Sequence, residues 1–406
     1  MTPAIVVLAY ERPEALRRLL SSVANARYPD GAGIPLVISL DRSERRAGLE
    51  TVAVARAFEW RHGPKAVLEH PEHFGVERHF RAAGNLALEH GDVILLEDDL
   101  TVAPPFYEFA VQVLHAYGSD ERIGGCCLYG LWFNGFTLEP FTPIDDGRDA
   151  FFLGVPHTQG LCFSARQWAA FDAWSRFGGV RPHPDLHPAF QRFGPDEWFP
   201  SLAAYLTETG RYFCFPRVSL TVGWGDAGAH FLAGTSWFQT PVQLGRRDYQ
   251  LPALDEADAV YDGFFELRPD RLKRLAPALQ ALDFDVDLNA TKQPASLHRE
   301  LVLTTRPVRR AVLGFGLDMY PPELNAITAV PGSEISLARR EDVHWDEWAG
   351  TAARSRLHAY AWRRYRPSRR RSLRFATARA AETLGRLARK AGRLLGRHEP
   401  EAGPPT

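Results

Sequence analysis

Three adjacent carboxylates, Glu97-Asp98-Asp99, follow directly on the apolar run Val93-Ile94-Leu95-Leu96. Like charges held that close repel one another, so the arrangement is costly unless a cation sits among them. Hard oxygen donors of this kind suit Mg²⁺ or Mn²⁺, which are commonly held by one or two protein carboxylates plus substrate phosphates. A cation bridging two phosphates neutralises the charge that builds on a departing nucleoside diphosphate. The same residues also read as an exposed acidic turn, or as a helix cap before Val102. A second acidic pair, Asp196-Glu197, stands before Trp198 and a helical stretch to Thr207. One of these carboxylates can take a proton from an attacking hydroxyl. The plainer reading is that they cap the helix, whose N-terminus favours acids.

The elements that must position these groups are visible in the apolar pattern. Ala4–Ala9 is a continuous apolar, β-branched run, as expected of a strand buried on both faces of a parallel sheet. Leu16, Leu19, Leu20 and Val23 then fall at helical spacing behind Pro13, a favoured helix-start residue. Further strands are expected at Ile34–Leu40, Ala66–Glu69 and Asp92–Leu96, with helices around Ala53–Trp60 and His79–His90 between them. The alternation predicts an open α/β sheet, which binds ligands beyond the carboxyl ends of its strands. The polar residues at those ends are Glu11 and Arg12, Asp41, and Glu97 to Asp99. No glycine-rich phosphate loop accompanies them, so a nucleotide here needs another anchor, and a metal is the obvious substitute. From Phe106 to Gln243 the strands look shorter, and residues 246–350 read as a further small α/β unit. In that unit Asp255–Leu282 is expected to be mainly helical, with strands in Arg309–Leu317 and Glu334–Leu337.

Hydrophobic residues at 45% and charged residues at 24% describe an ordinary globular chain rather than a disordered or membrane-embedded one. The net charge of −1 conceals a split: from Arg354 to Arg397 every charged residue but Glu382 is basic. The remainder is therefore acidic, which excludes a uniformly basic nucleic-acid binder. The basic segment carries an apolar stripe from Leu373 to Leu394 at helical spacing. Such a tail can lie on anionic lipid headgroups, pack on the acidic body or a partner, or remain solvated. Cys126, Cys127, Cys162 and Cys214 lack zinc-site spacing and read as small buried apolar residues. The N-terminal run is too short for a signal sequence or a membrane span, so the expected location is cytoplasmic, or peripheral on the inner face of the cell membrane.

Glu97-Asp98-Asp99-Leu100, followed by Val102-Ala103-Pro104 and Phe106, resembles the acidic motif of the inverting N-acetylglucosaminyltransferases that begin complex N-glycan branches. It is also similar to the related enzymes acting on O-mannosyl glycans and to bacterial GT-A, family-2-like glycosyltransferases. Other segments follow in the same order, and the resemblance spans roughly residues 4–235. Val7 to Arg12, with Arg17-Arg18, resembles the family's first strand; Ser39-Leu40-Asp41 resembles its base-binding segment. Arg78-His79-Phe80-Arg81 is similar to an R-H-Y-R stretch, and Pro195-Asp196-Glu197-Trp198 to a W-D-D-W block. Pro216-Arg217-Val218-Ser219 and Gly228-Ala229-His230-Phe231 resemble two later family segments.

The resemblance implies a GT-A fold, a Rossmann-like mixed sheet flanked by helices, over residues 1–245. Residues 1–105 would form the nucleotide-binding half and 106–245 the acceptor half. A small C-terminal α/β unit, 246–350, and a basic helical tail, 351–406, would follow. It implies Asp99 as the ligand of Mn²⁺ or Mg²⁺, with His230 as a further candidate at the metal or diphosphate. Arg12 would touch the diphosphate, Asp41 the uracil, and His79 the nucleotide, while Glu97 and Asp98 would contact the sugar or ribose. Asp196 would be the catalytic base. Pro195 and Glu197 depart from the family block, so the base lies open between Asp196 and Glu197. The expected partners are a nucleotide-sugar donor, UDP-linked by the resemblance, and a glycan or lipid-linked acceptor, with no nucleic acid. A sugar-phosphate nucleotidylyltransferase would want a glycine-rich first loop, which Leu8–Pro13 does not supply. A degenerate fold serving only to bind glycan or nucleotide is the non-enzymatic alternative.

Overall fold

A computed structural model describes residues 2–177, 180–194, 197–226, 235–245, 247–363 and 377. The first strand, β1 (Ala4–Ala9), is buried along its length. Pro13 opens α1 (Pro13–Ala24), which buries Leu16, Leu19, Leu20 and Val23 as the spacing predicts. The chain continues through β2 (Leu36–Leu40), α2 (Arg46–Ala57), β3 (Lys65–Glu69), α3 (Gly75–His90) and β4 (Asp92–Glu97). Then come β5 (Leu100–Val102), α4 (Phe106–Tyr117), β6 (Ile123–Cys127), β7 (Ala150–Leu153), β8 (Leu161–Ser164) and α5 (Ala165–Ser175). The start of α5 is fixed by a capping box, in which Ser164 and Gln167 satisfy each other's backbone amides. Next are α6 (Trp198–Thr209), which stops at Gly210 in the left-handed conformation, β9 (Tyr212–Pro216) and β10 (Thr221–Gly223).

Nine strands form one mixed sheet in the order β11-β7-β9-β6-β8-β4-β1-β2-β3, where β11 is Val260–Tyr261. The strands β3, β2, β1 and β4 run parallel, while β8 is antiparallel to β4. The chain lays β2 and β3 on one side of β1 and then returns to place β4 on the other. The gap beyond the ends of β1 and β4 is therefore the switch point where open α/β sheets bind ligands. Side chains alternate across this sheet. Ile5 and Val7 join a core with Leu16, Leu19 and Phe109, while Ala4 and Val6 join another with Phe80, Ala83 and Trp168. The mixed α/β architecture flanked by helices is the one expected.

One expectation about the C-terminal region is corrected. Asp255–Leu282 is not mainly helical: it holds β11, a short α7 (Pro269–Leu275) and one 3₁₀ turn at Pro277–Leu279. Beyond residue 245, β11 pairs with β7 in the large sheet. The strands β12 (Phe284–Asp287), β13 (Leu301–Thr304), β14 (Leu313–Phe315) and β15 (Ile335–Arg339) form a second sheet, with α8 (Glu323–Ile327) following β14. Its inner residues Phe284, Val286, Leu303 and Leu337 share a core with Phe151 and Phe215 of the large sheet. Helix α9 spans Glu347–Ala361, and the chain divides into units at 1–355 and 356–406. Most of the basic tail lies outside the described residues. No described helix is long and apolar enough to cross a membrane. All four cysteines are buried and unbridged.

The packing of α3 on α5 depends on an absent side chain. A Cβ on Gly84 would lie 2.0 Å from the Trp168 ring, which is itself fully buried and hydrogen-bonded to Asn85 at 2.9 Å. Gly84→Ala gains helix propensity of about 1 kcal/mol but forces a fixed ring aside, at a cost of about 1–3 kcal/mol or more. The variant should therefore unfold at lower urea concentration than the wild type. A midpoint at or above the wild-type value would show that this contact can open freely.

Candidate functional site at the sheet switch point

The chain leaves β4 through Glu97 and turns at Asp98-Asp99 into β5, which pairs antiparallel with β10. The acids thus sit where a fully buried strand gives way to a two-stranded ribbon. Asp98 is 2% exposed and forms an ion pair with the Arg12 guanidinium at 2.5 Å. Arg12 also donates to Asp99 Oδ2 at 3.0 Å through its other terminal nitrogen. The sequence places Arg12 at the start of α1, just beyond β1, so the switch point itself brings cation and acids together.

One guanidinium does not balance three carboxylates. Burial, with Asp99 adding to it, pushes Glu97 up to about 8, against the pull of Arg12. Burial likewise pushes Asp98 up to about 7, although Arg12 works to lower it. Asp99 Oδ1 is buried and has no hydrogen-bond partner among the described residues. A buried oxygen of this kind is costly unless something positive occupies its lone pairs. The donor set therefore fits a hard divalent cation. Among the described residues, no three His, Cys, Asp or Glu side chains converge to hold an ion alone. Such an ion would complete its coordination from phosphates and water.

The remaining candidates are placed as follows. Asp41 is buried and uses both oxygens locally. Oδ1 accepts from the amides of Arg42 and Phe74 at 2.8 and 2.7 Å. Oδ2 accepts from Gly75 at 3.0 Å and pairs with His73 at 2.9 Å. Asp41 thereby satisfies amides at the start of α3, and any contact with a base competes with these four interactions. His79 is not on the surface of its helix: it is 6% exposed and hydrogen-bonded to Ser39 Oγ at 2.9 Å. His70 reaches the same hydroxyl at 3.0 Å. His79 thereby ties α3 to β2 through Ser39. A cavity of about 630 Å³ opens beside His73, the partner of Asp41, and is lined by Tyr10, Glu11, Ser43, Arg45 and His73 among others.

Glu197 stands immediately before α6, and its charge is near enough to Glu97 to help raise that group. The approach is set by Trp198, which is buried and stacks on Phe80 of α3 at 3.9 Å. Asp196 and His230 lie outside the described residues. Two site neighbours escape the sequence reading. Trp224 donates its amide to the Asp99 carbonyl at 3.0 Å and its indole N–H to Thr101 at 2.6 Å. Asp226 pairs with Arg18 of α1. Their only signal is the Gly223-Trp224-Gly225 setting, since the contacts themselves are long-range.

An open α/β sheet with an acidic turn and a clamping arginine at its switch point belongs to the class that binds phosphorylated ligands beyond its strand ends. Residues 1–129 match the model of the GNT-I family. Over 250 residues the chain is 24% identical to an alpha-1,3-mannosyl-glycoprotein 2-beta-N-acetylglucosaminyltransferase of Arabidopsis thaliana, covering 59% of this chain. The chain spans about half the length of that relative, 51%. Among solved structures it is similar to S. aureus TarS 1-349 in complex with UDP-GlcNAc. There the TM-score is 0.34 with 13% identity, over 70% of this chain and 68% of that one. A mannosyltransferase, PcManGT from Pyrobaculum calidifontis, in complex with GDP-Man and Mn²⁺, gives a TM-score of 0.34. It is 16% identical over 54% of this chain and 58% of that one.

The buried His79 makes acid sensitivity predictable. Burial lowers its ring from 6.5 to about 4. Between those values the unfolded chain binds a proton that the native one refuses, so stability falls as pH falls from 6.5 towards 4. At pH 5 this amounts to about 2 kcal/mol. In urea titrations at pH 7 and pH 5, His79→Gln should reduce the acid loss by about that amount. An unchanged profile would mean that the ring accepts its proton in place.

Proposed function

We propose that this protein transfers a sugar from a nucleoside diphosphate to an acceptor hydroxyl, with inversion at the anomeric carbon. The observation that carries this reading is the undercompensated acid turn at the switch point, with Asp99 Oδ1 buried and unpartnered. The match of residues 1–129 to the GNT-I family, and the relative named as an N-acetylglucosaminyltransferase, support a UDP-linked N-acetylhexosamine donor.

Asp99, with Asp98 beside it, would hold Mn²⁺ or Mg²⁺. Bound there, the ion would neutralise charge on the departing diphosphate. The chain's own residues do the rest. Arg12 keeps Asp98 and Asp99 in register while they carry negative charge. The 630 Å³ cavity beyond β1 and β2 receives the nucleoside, with Asp41 holding its lining residue His73 and the His79–Ser39 pair tying α3 to β2. Glu97 faces the sugar. Inversion needs one base on the acceptor side, and no covalent intermediate. Asp196-Glu197 supplies it: the carboxylate takes the acceptor proton as the hydroxyl attacks opposite the leaving diphosphate. The acceptor is a glycan or lipid-linked saccharide, as in the synthesis of a surface glycan or polysaccharide. The Arg-rich tail would hold the enzyme peripherally on an anionic membrane, at the cytoplasmic face.

Asp99→Asn should lower metal-dependent turnover of UDP-N-acetylglucosamine at least about a hundredfold, measured as UDP release, while the protein stays folded. Turnover near the wild-type rate would sink the metal assignment. Asp196→Asn and Glu197→Gln separate the base candidates. The true base should lose about a hundredfold or more in transfer with nucleotide affinity retained, and the other should not. For the tail, removal of residues 364–406 should release the protein from phosphatidylserine-containing vesicles in a sedimentation assay. Equal partitioning of both forms would exclude membrane recruitment by this segment.

A further inference from the structure

Arg12 has both terminal nitrogens committed to acids, Asp98 and Asp99. A diphosphate entering this site therefore gains from a second cationic side chain, and one stands against Trp224, a hydrogen-bond partner of the Asp99 carbonyl. Arg18 projects from α1 with its guanidinium 4.7 Å from the centre of the Trp224 ring. Trp224 is in turn fixed to the Asp99 carbonyl and the Thr101 hydroxyl. Arg18 is thus held one residue away from the acid turn. Its Nη2 pairs with Asp226, whereas its Nε is buried and has no acceptor among the described residues. Nε–H and Nη–H together form the edge with which a guanidinium grips two oxygens of one anion. In this structure that edge is half satisfied.

We propose that Arg18 is a phosphate-binding residue of the site, and that Asp226 occupies its place until a diphosphate arrives. The assignment rests on the nucleotide-sugar reading above. Both members of the pair are partly open to solvent, at 31% and 38%, and an ion pair of that kind is weak and exchangeable. A diphosphate carries more charge than a carboxylate and can satisfy both nitrogens at once, so it displaces Asp226. Trp224 keeps the guanidinium in place during the exchange through its ring face. The local charge points the same way. Asp98 and Asp99 share one arginine, Arg12, so an anion entering beside them gains from a second.

Calorimetric titration of the full chain with UDP and with UMP, each in the presence of Mn²⁺, tests this directly. Arg18→Ala should weaken UDP binding tenfold or more while changing UMP binding much less, so that discrimination between the two falls. General damage to the site would weaken both ligands alike and would overturn the assignment. Arg18→Lys should recover part of the UDP affinity. Asp226→Asn should tighten UDP binding severalfold, and weaker binding by this variant would overturn the competition. Equal UDP affinity of Arg18→Ala and wild type refutes the role of Arg18 alone. A folded wild-type protein that binds neither UDP nor GDP with Mn²⁺ refutes the transferase reading itself.

Discussion

The charge balance at the end of β4 governs the rest of the site. Three consecutive carboxylates emerge from a buried strand, with Asp98 fully buried and Glu97 and Asp99 only partly open to solvent, so hydration relieves little of their repulsion. The chain answers with one arginine, delivered from the end of the neighbouring strand. This solution exists only because β1 and β4 are adjacent and parallel, with β2 placed on the far side of β1. A sheet wound in simple sequence order would put two strands between Arg12 and the acids. Topology here acts as electrostatics, since the order of strands decides which charges can meet. The remaining deficit, expressed in the raised Glu97 and Asp98 and in the orphan oxygen of Asp99, gives the turn its affinity for a further positive charge.

The region around Asp41 follows a different logic. Asp41, Ser39 and His79 belong to the segments that the resemblance assigns to nucleotide binding, yet each is engaged in holding the fold. Asp41 closes the open amides at the start of α3, and His79, from one turn further along that helix, reaches back to Ser39 on β2. The helix is thereby tied to the strand at two points, beside the cavity. On the opposite side α3 packs on α5 and on Trp198, which leads into α6. Glu197 sits at that junction. A single helix therefore relates Asp41 and Ser39 to the candidate base, and displacement of α3 would disturb both.

Much of the nucleotide-side half is legible in the sequence, and the reason is physical. Strands buried on both faces must be apolar throughout, so β1, β2 and β4 stand out without help from their neighbours. Pro13 marks the start of α1 for a similarly local reason. The reading fails where long-range pairing overrides local pattern. Val260-Tyr261 is too short to be seen as a strand, and its place is set by β7, more than a hundred residues earlier. The helical spacing read across Asp255–Leu282 is interrupted by this pairing and by Pro269 and Pro277. The start of α2 at Arg46 is polar, and apolar periodicity reports only its later turns. At the site, Arg12, Asp41 and the acid turn are found because strand ends are predictable. Trp224 and Asp226 are not, since Asp226 meets Arg18 across 208 residues of sequence.

The extent of the family match sharpens this division. Residues 1–129 supply β1 to β6, hence the switch point, the acids, Arg12, Arg18 and the lining of the cavity from Tyr10 to His73. The groups that complete the site come from later in the chain: Glu197 ahead of α6, and Trp224 and Asp226 beyond β10. Among the contacts that bring them to the acids are the stacking of Trp198 on Phe80 and the pairing of β10 with β5. Both end on residues inside the matched segment, as does the pairing of β9, which follows α6, with β6. The loops between these contacts can therefore vary while Glu197, Trp224 and Asp226 stay beside the acids. In the proposed reaction this would let acceptor preference change independently of the donor side.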